Sequence, residues 1–218
     1  MSDTLHAATV VLLRDAVDGL ETLMLRKNSR LAFGGMWVFP GGRIDDGDRA
    51  ADADELTAAA NAAVREAAEE AGLAVPSSAL IPFSHWTPPA AAPKRFLTWF
   101  FLAPAPTTAV VIDLGEIHDH AWMRPDAALA RRDEGEIELA PPTWVTLNWL
   151  AAHPSVAAAS AAAAARAPER FATRIAASDE GPVAVWTPDA AHESGDLAAP
   201  GPRHRLWMSR TGWRYERG

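Results

Sequence analysis

The chain has 218 residues and a net charge of −8, with 28 acidic side chains against 20 basic ones and no cysteine. That balance argues against a general nucleic-acid surface, which needs a basic stripe to neutralise phosphates. The absence of cysteine excludes disulfides and thiolate metal sites, and the length suffices to bury a real core in one domain with or without an embellishment.

Met1, Ser2, Asp3 and Thr4 carry no basic region and open no long apolar run. The most apolar stretch, 96–112, is interrupted by Pro104 and Pro106 and is too short to span a bilayer. The expectation is a cytoplasmic protein with neither membrane nor nucleic acid as partner.

Residues 7–13 and 21–26 are β-rich runs on either side of Asp18 and Gly19, the pattern of a hairpin. A polar loop, 27–35, leads to a strand at 36–39, which Pro40 ends because it cannot donate to a ladder. Gly41 and Gly42 then let the backbone turn tightly beside a ligand. Segment 49–57 is acidic and Ala-rich. There Asp52 and Glu55 have the spacing of a capping box that would start a helix, with a mobile flap as the alternative. Further strands are expected at 79–86, 95–102, 110–113 and 120–123, with a Pro-rich connection at 87–94 and Glu116 in the last loop. Helices are expected at 125–130 and 142–152, each with Pro in its first turn. Beyond them, 156–167 is nearly poly-Ala and helical by propensity, and 183–186, 204–208 and 212–215 have strand character. The division expected is a core at 1–152 and an extension at 153–218 that packs on it, with a homodimer contact as a further use of the tail.

The chemistry concentrates in the helix that ends at Gly72, a residue able to take the φ > 0 stop. Glu66, Glu69 and Glu70 stand at i, i+3 and i+4, so one arc of roughly 100° holds three carboxylates that repel one another unless a cation joins them. Ala60, Val64, Ala67 and Ala71 are expected on the opposite arc, against a sheet. The bland alternative is a solvated acidic face. Hard oxygen donors suit Mg²⁺ or Mn²⁺ rather than Zn²⁺, and none of the seven histidines shows metal spacing.

With Phe39, Pro40, Gly41 and Gly42 upstream and Gly72 and Leu73 downstream, this helix resembles the Nudix box, G-x5-E-x7-R-E-U-x-E-E-x-G-U with U a bulky aliphatic. Gly42 fits the opening glycine, Arg65 and Glu66 the R-E pair, Glu69 and Glu70 the E-E pair, and Gly72 and Leu73 the close. Asp48 stands where the first Glu belongs, and Ala67 replaces the bulky aliphatic. Sixteen residues rather than seven separate Asp48 from Arg65, so the box runs 42–73 with an insertion at about 49–57. The resemblance implies an α+β fold, a Nudix-type α/β/α sandwich with a mixed central sheet, here carrying a C-terminal extension. It implies Mg²⁺ or Mn²⁺ on Glu66, Glu69 and Glu70, with a backbone carbonyl near Gly42, and catalytic roles for Glu70, Glu116 and Arg65. The general base is Glu70 on the box helix or Glu116 in a later loop, with Asp119 behind it. Arg65 orients the loop by pairing with an acid. Asp48 is the natural partner, and Asp45, Asp46, Asp52 or Glu55 could substitute. Gly41, Asp48 and Gly72 are structural.

Outside the box, 29–42, the insertion and the segments around Trp86 and 94–101 resemble the enlarged-box branch that includes peroxisomal coenzyme A diphosphatases. On that resemblance Arg30, Lys94 and Arg95 could meet a 3′-phosphate or pyrophosphate, ordinary surface cations being the alternative. Trp86, Trp99 and Phe101 could stack an adenine, a place in the core being the alternative. The implied reaction is hydrolysis of the diphosphate linkage of a nucleoside diphosphate derivative, coenzyme A or acyl-CoA first and ADP-ribose or a nucleotide sugar next. Two other readings stay open, a catalytically idle Nudix fold that binds a ligand and an interaction protein whose helix is merely acidic.

Overall fold

The computed structural model describes residues 4–28, 34–50 and 54–218. Two N-terminal strands, β1 (Thr4–Ala16) and β2 (Gly19–Lys27), form the expected antiparallel hairpin, closed where Ala16 faces Gly19. Along β1, Ala8, Val10 and Leu12 face one apolar cluster and Val11 and Leu13 the other. Period-2 alternation between two covered faces gives the near-continuous apolar run seen in the sequence.

β3 (Trp37–Val38), β4 (Gly41–Arg43), β5 (Ile81–Thr87), β6 (Arg95–Pro104), β7 (Ile117–Met123) and β8 (Glu169–Ala172) complete a mixed eight-stranded sheet. Its order is β3-β2-β1-β6-β5-β8, with β4 joined to β1 and β7 to β2. The β1–β6 and β5–β8 pairs are parallel. One face is covered by α1 (Glu55–Ala71). The other carries α2 (Pro125–Asp133), α3 (Pro141–Leu150) and α4 (Val156–Ala164). It also packs on a separate antiparallel sheet of β9 (Arg174–Ser178), β10 (Gly181–Val185), β11 (His204–Ser209) and β12 (Gly212–Arg217). The result is an α+β sandwich with a mixed central sheet and a C-terminal antiparallel addition, the architecture expected above. Among the described residues no helix is long and apolar enough to cross a membrane.

α1 starts at Glu55 because the Asp54 side chain accepts from Thr57 N at 2.8 Å. Asp52, the expected cap, lies outside the described residues. Ala58, Ala59, Ala62, Ala63, Ala67 and Ala71 are all fully buried, and their small side chains let the helix lie close on the sheet. One expectation needs correcting here. Glu66 and Glu70 do not oppose this apolar arc but continue it, at 9% and 2% exposure, while Val64 and Ala60 sit half-buried at its flank. Beside the buried Ala67 and Ala71, Glu66 and Glu70 meet β4 and the end of β2.

Two further expectations change. Residues 110–113 form no strand, because Val111 N and Asp113 N donate to Ala71 O at 2.9 Å and Glu70 O at 3.3 Å. Those donors satisfy the carbonyls that the end of a helix leaves open. β8 and β9 were not legible as strands, being short and rich in charge and alanine. β8 extends the main sheet, and Phe171 stacks on Trp86 with ring centroids 3.8 Å apart.

Candidate functional site

Three segments meet at the C-terminal third of α1: β4 with the loop after it, the end of β2, and the loop before β7. β4 is fixed against β1 by the pairs Thr9–Gly41, Ala8–Gly42 and Ala7–Arg43. Neither glycine is in the left-handed region, so the tight turn expected of them is instead a strand. Space is what demands glycine. A Cβ on Gly42 would fall 2.2 Å from Glu66 Oε1, and one on Gly41 would fall 2.5 Å from Ala8 O. Gly72 does take the left-handed form, φ 67°, and ends α1 by donating to Ala68 O.

Arg65 ties the loop to the helix. Its guanidinium grips Asp48 at both oxygens, Nε to Oδ1 at 3.0 Å and Nη2 to Oδ2 at 2.9 Å. It also donates to Glu66 Oε1 and Glu69 Oε2, each at 2.8 Å, and to Arg43 O at 2.8 Å. Asp48 reaches this position despite lacking a methylene because a single 3₁₀ turn, Asp46–Asp48, carries it inward, where Asp45 N donates to its Oδ2. Asp45 approaches Arg65 only to 3.9 Å, and Glu55 turns away to His6 and Trp99. The hydrogen bonds that Arg65 donates to Asp48 lead the causes that raise the Arg65 pKa. For Asp48, burial opposes the charged form, but Arg65 and the Asp45 N–H outweigh it and hold the carboxyl below its ordinary value.

Glu70 is held from two sides. Gly41 N donates to its Oε2 at 2.9 Å, and the Lys27 ammonium contacts its Oε1. Lys27 Nζ also lies 3.5 Å from Glu116 Oε2. Glu116 is exposed, and its backbone is pinned by Asn28 N donating to Glu116 O at 2.8 Å. Asp119 sits on β7, where its carboxylate accepts from His120 N. Burial raises the pKa of Glu70 against the pull of Lys27. Burial also raises that of Glu66 against Arg65, with repulsion from Glu70 and Glu69 adding to the rise. Burial pulls the Lys27 amine down, and Glu70, Glu116 and Glu66 more than restore it.

Lys27 is the residue that reading the sequence as a loop start missed. The signal was present: Leu23 and Leu25 face α1, and Lys27 is the next position at strand spacing.

Five carboxylates (Asp48, Glu66, Glu69, Glu70, Glu116) thus gather around two cations, Lys27 and Arg65. Among the described residues no three acids or histidines converge as ligands of one ion. The donor set nevertheless fits a divalent cation. It is all oxygen, it is short of positive charge, and two of its members are pushed toward protonation by burial and by neighbouring carboxylates, Glu70 and Glu69 for Glu66 and Glu116 for Glu70.

The expected substrate contacts are not drawn to this point. Trp86 is a core residue at 3% exposure, on the face away from α1, stacked on Phe171 and bonded through Nε1 to Ser84 Oγ at 2.9 Å, so no adenine can reach it. Trp99 and Phe101 are likewise buried, on the α1 face. Lys94 is exposed and Arg95 half-buried, and Arg95 faces Thr4 across the β1–β6 register, whereas Gly42 faces Ala8. Four strand residues, about 13 Å, therefore separate them along β1. Arg95 Nε is buried with no hydrogen-bond partner among the described residues. Arg30 lies outside the described residues.

The NUDIX domain family profile matches residues 4–143. The chain belongs to the Nudix family, pyrophosphohydrolases of nucleoside diphosphate derivatives that generally depend on a divalent metal. Its fold is similar to that of a NUDIX hydrolase from Alicyclobacillus acidocaldarius, with 25% identity, a TM-score of 0.67, and coverage of 74% of this chain and 97% of that one. It is also similar to a MutT NUDIX hydrolase from Burkholderia pseudomallei, at 20% identity and TM-score 0.50, covering 67% of this chain and 98% of that one. A third likeness is to the NUDIX domain of Shewanella oneidensis NrtR, complexed with ADP ribose, at 19% identity and TM-score 0.51, covering 68% of this chain and 86% of that one. The latter two share the fold alone. No curated protein matches the sequence.

Proposed function

We propose that the chain is a Mg²⁺- or Mn²⁺-dependent hydrolase that cleaves the diphosphate linkage of a nucleoside diphosphate derivative, with coenzyme A or an acyl-CoA as the leading substrate. ADP-ribose or a nucleotide sugar is the alternative. The observation that carries the reading is the excess of carboxylates over cations at the end of α1. A solvated acidic face would leave Glu66 and Glu70 in water, whereas they are buried at 9% and 2% exposure.

Glu66, Glu69 and Glu70 would hold the metal, with a backbone carbonyl near Gly42. The bound cation would neutralise the diphosphate oxygens and acidify a water. The chain's own residues supply the rest. Arg65 locks the 41–48 loop to the helix through Asp48. The Gly41 N–H fixes one oxygen of Glu70. Glu70 and the exposed Glu116 are the groups able to take a proton from the attacking water. The coenzyme A preference is supported by the sequence of 29–42 and by the enlarged box, features that lie outside the carboxylate set. A catalytically idle fold is disfavoured by retention of Arg65, Glu66, Glu69 and Glu70 together.

The test is a panel of coenzyme A, acetyl-CoA, ADP-ribose and a nucleotide sugar, each with Mg²⁺ or Mn²⁺, with products resolved chromatographically. Cleavage of coenzyme A to 3′,5′-ADP and phosphopantetheine is expected. No metal-dependent product from any of the four would sink the enzymatic reading.

A further inference from the structure

Both oxygens of the Glu70 carboxylate are taken. Oε2 accepts from Gly41 N, a backbone group fixed by β4 pairing, and Oε1 is in contact with the Lys27 ammonium. Of the two partners only Lys27 can leave. Its backbone is held, since Lys27 N donates to Met36 O at 3.1 Å and Gly35 N donates to Lys27 O at 3.0 Å. Its four-carbon side chain is free to re-aim a compact, strongly hydrated charge. The side chain is 13% exposed, and its second neighbour, Glu116, is 57% exposed, so the ammonium stands between the buried carboxylate and the open side of the site. A structural lysine would have a balanced partner, as Arg205 has in Asp189. Lys27 instead faces a set that remains anionic after counting it.

We infer that Lys27 is an exchangeable counter-cation: it holds Glu70 in the metal-free protein, yields that carboxylate to the divalent ion, and then pairs with a phosphate oxygen of the diphosphate substrate. The inference rests on the metal-dependent reading above and adds a residue to it outside the box. It makes the site responsive in both directions. Without metal, the ammonium keeps Glu70 from being a buried charge offset only by the Gly41 N–H, as Arg65 does for Glu66. With metal and substrate, the same charge is carried to the diphosphate, which the acidic surroundings would otherwise repel.

The experiment is a Mn²⁺ titration of the full chain without substrate, followed by electron paramagnetic resonance of free Mn²⁺, for wild type, Lys27→Met and Lys27→Gln. Removing a competing positive charge should tighten Mn²⁺ roughly tenfold in both variants. ADP binding at saturating Mn²⁺, measured by calorimetry, should weaken by a similar factor in both, while Lys27→Arg stays near wild type in both measurements. Thermal melts establish that each variant is folded, and the pair of neutral variants guards against one failing to fold. Equal Mn²⁺ affinities in wild type and the neutral variants would overturn the exchange, as would tighter Mn²⁺ with unchanged ADP binding. Absence of saturable Mn²⁺ binding in the wild type would instead overturn the metal-dependent reading itself, so the two failures are distinguishable.

Discussion

Arg65 and Arg205 grip a carboxylate in the same two-pronged way, and their surroundings could hardly differ more. In the C-terminal sheet, Arg205 Nε and Nη2 meet the two oxygens of Asp189 at 2.7 Å, with both side chains buried. His204 N and Ala191 N complete the carboxylate at 2.8 Å, and Leu197 O takes another guanidinium proton at 2.9 Å. One cation meets one anion, and every prong is used. At the end of α1, Arg65 is divided among Asp48, Glu66, Glu69 and a carbonyl, and negative charge is left over. A buried pair that balances specifies structure and asks for nothing more. A cluster that does not balance retains a demand for a cation, and that demand is what chemistry can use.

Breaking the unbalanced side should have the largest effect. Glu70→Gln is expected to lower metal-dependent hydrolysis by about 10² to 10⁴-fold, with little change in melting temperature because one of several repelling charges is removed. Steady-state rates and a thermal melt check both halves, and a near-wild-type rate would remove Glu70 from the site. Breaking the balanced side should do the reverse. Asp189→Asn leaves a buried guanidinium without its counter-charge and is expected to destabilise the fold by about 3–5 kcal/mol in urea unfolding, while the metal dependence of the remaining activity is kept.

A smaller effect is expected from Gly42→Ala. The added methyl would collide with Glu66 Oε1, so Mn²⁺ affinity should fall by about tenfold as that carboxylate is displaced. Unchanged affinity would show that Glu66 is not a ligand.

The smallest effect, and the one that sharpens the contrast, is in the slopes of stability with pH. Burial penalises the Asp189 charge, but Arg205 and the two N–H groups hold its carboxyl down to about 2, against an ordinary 3.8. Its contribution is therefore complete above the ordinary value and lost as pH falls from there toward 2. Glu66 and Glu70 are shifted the other way, so their ionisation costs stability as pH rises above the ordinary carboxylate range. Mg²⁺ should cancel that cost, and its stabilisation of the melt should be greater at pH 8 than at pH 5. Equal Mg²⁺ shifts at the two pH values would contradict the shared-charge account of α1.

Much of the site was legible one residue at a time. The spacing of Arg65, Glu66, Glu69 and Glu70 on a helix and the stop at Gly72 follow from local periodicity, which few tertiary contacts can alter. The pairing of Asp48 with Arg65 was implied by the family resemblance, with four other acids as alternatives, and the fold selected among them. The hairpin of β1 and β2 was equally clear, because alternation and a turn signal are local. Less legible were elements whose character depends on what lies opposite them. Trp86 looks the same in sequence whether it stacks on an adenine or on Phe171, and Phe171 lies 85 positions further on in the chain. Residues 110–113 have strand composition, yet their N–H groups go to the end of α1 because that is where open carbonyls were waiting.

The sequence by itself determined the acidic helix and its stop at Gly72, because helical geometry converts spacing directly into a shared arc. The tertiary structure alone decided that Glu66 and Glu70 are buried, that Gly42 is glycine for the sake of Glu66, and that Lys27 is the cation on Glu70. Each of these depends on two segments distant in the chain coming to van der Waals contact, and no spacing within one segment encodes the distance to another.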